Sequence, residues 1–437
     1  MAEPSHIFDT LPEINKFYLI IMLDIKLFRE KPEIIKESEK KRFKDASLVD
    51  KVIEYDRKWR ERVKELQELR KKKNEISRKI GKLKGAEREK LIIEATKLSE
   101  KEVELERETE FLLREREEYR YKIGNILHES VPVAPTEEGN EVVRQWGEIR
   151  EFDFEPKKHA ELIERFAEIE KASEVSGART YYLKGDMVLL NLALIDFALR
   201  NLKEKGFTPI WTPYFIKEKF MRGASELSDF KEQLYKIENE DLYLIATSEQ
   251  SIVSLHANEV LEENKLPLKY AGYSSCFRRE AGAHGKDTKG IFRVHQFDKV
   301  EQFVFCKPEQ SWDIFEKLIK NAEELYQKLG LAYRVVNIAS GEMNDNAAKK
   351  YDLEVWFPAQ KKWREVCSCS NCTDYQARKL NIRFGKYGGR KEFVHTLNST
   401  AIATQRTITA ILENFQLKDG RIEVPKVLRK FLGKEVI

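Results

Sequence analysis

The sequence predicts an α+β fold, with a long antiparallel helical hairpin placed before a larger domain of mixed helices and strands. Three observations carry that prediction. No proline occurs between Pro32 and Pro132, and glycine is absent up to residue 80, then appears as Gly81 and Gly85. On both sides of that glycine pair the apolar residues step by three and four, the period of a helix that buries one seam. After Pro132, Pro135 and Gly139 the pattern changes to short apolar runs broken by proline, glycine and polar loops.

Composition sets the bounds. A chain of 437 residues has room for two or three domains and at least one large core. Charged residues make up 35% of it against 41% hydrophobic, so the charge must lie on long solvated surfaces. The net charge is only +4, and a nucleic-acid partner has to be argued from how the charge is distributed. Five cysteines, three of them crowded at Cys367, Cys369 and Cys372, suggest a reducing cytoplasm rather than a disulfide framework. The longest N-terminal apolar run, Phe17 to Leu23, is far short of a membrane span. Residues 1–21 lack the basic start and cleavage site of a signal peptide, and no function is assigned to this leader.

The helical part is expected over residues 22–130, with Leu23 to Val49 as short helices at the base of an arm spanning about residues 52–127. The first seam runs through Val52, Tyr55, Trp59, Val63, Leu66, Leu69, Ile76, Ile80 and Leu83. The second runs through Leu91, Ala95, Leu98, Leu105, Leu112, Tyr119, Ile123 and Ile126, and Lys73, Glu102 and Arg116 interrupt the pair. Two such helices joined at GKLKG make a coiled-coil hairpin, the first about 45 Å long at the usual rise per residue. Residues 51–90 hold 16 Lys/Arg against 8 Asp/Glu, whereas residues 91–127 hold 7 against 10. A basic stripe on a projecting arm suits a phosphate backbone, although a solvated helical face explains the same run.

Ser130 to Gly147 reads as the linker into a domain over residues 131–437. Leu189 to Leu202 is an apolar helix, which Gly206 can end, and Pro209 and Pro213 force the next segment, KGFTPIWTPYF, to be extended. LYLIATSE, Leu242 to Glu249, is a strand whose final Thr247, Ser248 and Glu249 also read as a helix N-cap. Tyr273 to Phe305 reads as strand, polar loop (Ala281 to Gly290) and strand. Its Arg278 and Glu280 are two apart, as if on one face of the first strand, and Phe297 and Glu301 share a face of the second. An arginine fork, two carboxylates and an aromatic plane fit a nucleotide and a small zwitterion side by side. In VHTLNSTAIATQRTITAILENFQ a strand ends near Asn398, and the charge of Arg406 among apolar residues needs a phosphate or carboxylate partner.

FRREAG, the long loop and FRVHQFDKVEQF resemble motif 2 of the class II aminoacyl-tRNA synthetases, and within that class most closely the seryl-tRNA synthetases. KGFTPIWTPYF resembles motif 1, which forms a homodimer interface around a proline such as Pro213. The final stretch resembles motif 3, so the three motifs occur in order, with no anticodon-binding domain after them. The resemblance implies a class II synthetase domain on an antiparallel sheet and a coiled-coil arm that embraces tRNA(Ser). It also implies ATP-dependent serylation through a seryl-adenylate, in the cytoplasm, with no membrane.

The same resemblance implies the residue roles. Arg278, Glu365 and Arg406 are the catalytic set. Thr247, Ser248, Glu249, Arg278, Glu301 and Thr400 take L-serine, without settling which of them meets its ammonium and which its hydroxyl. ATP falls to Arg278, Arg279, Glu280, Arg293, Val294, Phe297, Glu365, Val366, Cys367, Ser368 and Arg406. Glu365 and Ser368 hold Mg2+, and Cys367 stands where the family more usually has serine. For the cysteine cluster a zinc reading competes, but no second Cys pair completes a tetrahedral site. Two further readings stay open from the sequence, a paralogue charging a carrier protein and a non-catalytic RNA-binding module.

Overall fold

The computed structural model describes residues 23–226, 233–281, 287–386 and 388–437. The leader expected at 1–21 lies outside them, as does half of the Ala281 to Gly290 loop, residues 282–286. The described residues fall into two compact units, one comprising Lys44–Ile123 with the residues up to Lys40, the other Gly124–Ile437 with Lys41–Phe43.

In the first unit, helix α1 (Ser47–Ile80) and helix α2 (Ala86–Tyr121) pair along their length. The seam is as the periodicity requires, with Val52, Leu66, Leu69, Ile76, Leu105 and Leu112 buried. The polar interruptions have partners. Lys73 Nζ meets Glu102 Oε2 at 2.6 Å across the seam, and Arg116 Nη1 donates to the buried Asp56 carboxylate at 2.9 Å. Lys72 pairs with Glu94, Arg62 with Glu108 and Arg70 with Glu102, so part of the outgoing helix's positive charge is spent on lacing the hairpin. The cations nearer the turn, Arg78, Lys79, Lys82 and Lys84, are exposed and make no ion pair among the described residues.

The second unit is built on an eight-stranded sheet. Its strands are β1 (Glu141–Trp146), β2 (Thr208–Trp211), β3 (Leu268–Phe277), β4 (Gln296–Cys306), β5 (Tyr333–Asn337), β6 (Lys349–Phe357), β7 (Lys362–Asn371) and β8 (His395–Ala403). Across the sheet they run β1-β5-β6-β7-β8-β4-β3-β2, all pairs antiparallel except β2 with β3. Side chains alternate between the two faces. One face carries Val300, Val304, Leu353, Val355, Cys369 and Leu397 into the main core. Helices α3 (Asp186–Glu204), α5 (Ser311–Leu329) and α6 (Thr404–Asn414) close over it. Phe297, Lys299, Glu301, Asn398, Thr400 and Ser368 fall on the other face by register.

Two irregularities shape that second face. Leu353 pairs with Cys367 but Glu354 with Glu365, so Val366 is an extra residue in β7. Strict alternation would send Glu365 into the core beside Cys367; the bulge turns it to the opposite side. Gly272 lies opposite Glu301, and a Cβ there would sit 2.4 Å from Ile252 Cδ1 and 2.8 Å from Ser248 Oγ. Its absence lets helix α4 (Ser248–Leu255) rest against the sheet.

Candidate active site

The cleft begins where β3 ends. Arg278 and Glu280 lie past Phe277, the last residue of that strand, so alternation is not what brings them together. Glu280 has φ 52°, a left-handed conformation that costs a non-glycine residue about 1–2 kcal/mol, and it turns the chain back over the sheet. Arg278 is anchored by its own backbone N–H to the His295 carbonyl at 2.9 Å. Its Nε donates to the Ala246 carbonyl at 3.3 Å, and its guanidinium stands 5.2 Å from the centre of the Phe297 ring.

Arg278, Glu280, Arg293, Val294, Phe297, Glu365, Val366, Ser368, Thr400 and Arg406 line one cleft of ≈ 550 Å³, together with Phe292, Lys299, Ala403 and Gln405. Its cations are matched to anions. Arg293 Nη1 meets Glu280 Oε2 at 2.7 Å, and Arg406 Nη1 meets Glu365 Oε1 at 3.2 Å. Phe292 is flanked by two guanidiniums, Arg364 at 4.0 Å and Arg406 at 5.2 Å from its centre. Burial works against the Glu365 anion, but Arg406, Lys350 and Arg278 outweigh it and hold the carboxyl well below the usual range.

The remaining candidates sit beside this cleft. Glu301 is 1% exposed, accepts from Thr400 Oγ1 at 3.4 Å and is ion-paired with Lys299. Thr247 caps α4, its side chain accepting from the Glu249 N–H at 3.3 Å, so the N-cap expected for Thr-Ser-Glu forms. Ser248 is fully buried and bonds the Gly272 carbonyl at 3.2 Å. The Ala246 carbonyl under Arg278 ties this loop to the cleft. Arg279 does not join them: it is exposed, and its backbone N–H goes to Gln233. Cys367 turns into the core, its Sγ 3.5 Å from both the Tyr326 hydroxyl and the Ala401 carbonyl. Sequence reasoning missed Lys299, Gln376 and Asn398. The last two donate to the Glu249 carboxylate from elements distant in sequence, so no local pattern pointed to them.

Comparison with known proteins settles the family. Residues 22–127 match the model of the seryl-tRNA synthetase N-terminal domain, and residues 231–415 that of the tRNA synthetase class II core domain (G, H, P, S and T). A serine–tRNA ligase of Methanosphaera stadtmanae is 54% identical, covering 95% of this chain and 99% of its own. One from Archaeoglobus fulgidus is 52% identical over 93% of this chain and 95% of that protein. The chain belongs to the seryl-tRNA synthetases. The crystal structure of the seryl-tRNA synthetase of Pyrococcus horikoshii complexed with ATP superimposes with a TM-score of 0.90, at 47% identity over 95% of this chain and 99% of that one. The cytoplasmic serine–tRNA ligase of Naegleria fowleri in complex with AMP does so at 0.84, with 45% identity over 95% and 98%.

A Mg2+ ion beside nucleotide phosphates would need hard oxygen donors, and the residues of this cleft fit that requirement. Glu365 and Ser368 line it, and Glu365 is kept anionic. Asp352 lies opposite Ser368 in the β6–β7 register. Its buried Oδ1 makes no hydrogen bond among the described residues and is ion-paired with Lys350 Nζ at 3.4 Å. The cysteine cluster offers no comparable set. All three thiols are free and buried, and burial pushes each of them upward, which favours S–H over a metal-binding thiolate. Protein purified without chelator should therefore contain well under one zinc per chain by elemental analysis. One tightly held zinc, lost with activity when Cys367, Cys369 and Cys372 are changed, would contradict this.

Proposed function

We propose that this seryl-tRNA synthetase activates L-serine with ATP and transfers it to tRNA(Ser). The observation that carries the reading is the single cleft in which Arg278, the Phe297 ring, Glu365 and Arg406 converge, with Thr400 in its lining and Glu301 bonded to Thr400 beside it. A serine carboxylate oxygen attacks the α-phosphorus of ATP, the bond to the β-phosphate oxygen breaks, and pyrophosphate leaves. The 2′- or 3′-hydroxyl of the terminal ribose then attacks the seryl carbonyl carbon, and AMP departs. Both steps need alignment and charge stabilisation more than a strong base.

Arg278 is placed to span the serine carboxylate and the α-phosphate, while Phe297 offers a face for adenine and Glu280 an acceptor for its amino group. Arg293 and Arg406 serve the pyrophosphate end. In the free protein each is held by a carboxylate, so ATP binding exchanges Arg–carboxylate pairs for Arg–phosphate pairs without exposing a bare cation. Mg2+ would be held by Glu365 and Ser368 and would screen the phosphate charge.

Glu301 and Thr400 make the serine side polar and tight. Alanine leaves such groups unpaired, so its rejection should reach ~10⁴-fold or more in kcat/KM for pyrophosphate exchange. Threonine only adds a methyl, is excluded by shape, and should be rejected less strongly. Alanine activated better than threonine would overturn the assignment.

A second copy of the chain is proposed to cover the exposed apolar surface at α3 and β2, where Leu192 is 54%, Trp211 72% and Phe215 55% exposed around Pro213. Isologous dimers bury patches of this kind. No helix among the described residues is long and apolar enough to cross a membrane. The five free cysteines favour a reducing cytoplasm.

A further inference from the structure

We infer that Gln376 and Thr396 form a positioning relay that orients the Glu249 carboxylate for the amino-acid substrate. The inference rests on the reading of Glu249 as a serine-contacting residue. Thr396, on β8, donates its hydroxyl to Gln376 Oε1 at 2.8 Å. Gln376, in the short helix Tyr375–Lys379, donates Nε2 to Glu249 Oε1 at 2.7 Å. It also reaches the Ala224 carbonyl at 3.5 Å. Asn398, two residues along β8, donates Nδ2 to the same Glu249 oxygen at 3.1 Å.

The direction of this chain is forced. A carboxylate only accepts, so the end of Gln376 facing Glu249 must be its NH₂, and the end facing Thr396 its carbonyl. The Thr396 hydroxyl completes the arrangement by donating to Oε1; without it the buried Gln376 carbonyl loses its partner and the amide its hold. Both amides load Oε1, so the carboxylate plane, and with it the direction of Oε2, is set by β8 and the Tyr375–Lys379 helix rather than by Glu249's own rotamer. Gln376 and Thr396 are fully buried and Asn398 is 7% exposed, so water cannot substitute for a lost partner. Neither Gln376 nor Thr396 lines the cleft, so both act through Glu249. A loose carboxylate at a pocket for so small a substrate costs affinity directly.

The test is serine-dependent pyrophosphate exchange with Thr396→Val, Thr396→Ser, Gln376→Met and Glu249→Gln, reading KM for serine, KM for ATP and melting temperature. Thr396→Val and Gln376→Met should each raise KM for serine about 10- to 100-fold, the loss expected for a hydrogen bond to a charged group. KM for ATP should stay within about twofold, and Thr396→Ser should restore the parent value. The double variant should be no worse than Gln376→Met alone, because the two act in series. The relay is overturned if Glu249→Gln raises KM for serine while Thr396→Val and Gln376→Met do not. It is overturned equally if serine and ATP KM rise together, the mark of general loosening. If Glu249→Gln leaves serine KM unchanged, the reading of Glu249 itself fails. Should Gln376→Met not fold, the Val/Ser pair at 396 carries the same comparison.

Discussion

Arg278→Ala should lower serine-dependent pyrophosphate exchange by roughly 10³-fold or more, while the protein stays folded. Removing one donor from a pre-organised charge-stabilising site costs about 10²–10³-fold. Arg278 is placed to serve two anionic groups at once, so the larger end applies. The fold should survive because the side chain is only partly buried and its hydrogen bond among the described residues, to the Ala246 carbonyl, is long at 3.3 Å. Melting temperature and oligomeric state should match the parent. Substitution by lysine should not rescue, since an ammonium cannot present the paired N–H donors of a guanidinium. Near-normal exchange in the alanine variant would remove Arg278 from the reaction.

Replacing Val52–Leu127 with a short linker should abolish efficient charging of tRNA(Ser) and spare serine activation. Every residue that lines the cleft lies at or beyond Arg278 in the sequence, so the arm contributes nothing to adenylate formation. Transfer should fail through lost affinity, seen as a rise in KM for tRNA of at least about a hundredfold. In the intact protein that affinity should fall with salt by roughly 0.7–0.9 in the log–log slope per phosphate contact. The structure narrows which cations matter. Lys72 and Lys73 are engaged by Glu94 and Glu102, whereas Lys79, Lys82 and Lys84 are exposed near the turn. Changing the latter three to alanine should flatten the salt slope, and changing Lys72 and Lys73 should mainly lower the arm's stability. An armless protein that charges tRNA with its original KM would make the arm a spacer.

The arm was legible because its signal is periodic over helices of 34 and 36 residues, and two of its three imperfections proved to be partners of one another. Lys73 and Glu102, each a blemish in its own helix, form one ion pair. Motif resemblance brought Arg278, Glu280, Phe297, Glu365 and Arg406 together from positions far apart in the chain, and one cleft contains them all. Local geometry was less legible. Glu365 reaches the cleft only because Val366 is bulged, and period-two counting assigns it to the core. Glu280 joins Arg278 through a left-handed turn, not through strand alternation. Arg279 and Cys367 were carried along by neighbours in the motif and do not line the cleft, the first being exposed and the second turned to Tyr326 in the core. Gln376, Asn398 and Lys299 act by contacts that only the folded sheet creates.

Serine activation in this cleft and transfer to tRNA(Ser) can be read in a single experiment. Pyrophosphate exchange should be run with each of the twenty amino acids, followed by addition of tRNA(Ser) to the serine reaction. Exchange with serine should stand far above that with every other amino acid, and the seryl group should pass stoichiometrically to the tRNA. Exchange led by another amino acid, no exchange at all, or a seryl-adenylate that tRNA(Ser) does not consume would contradict it.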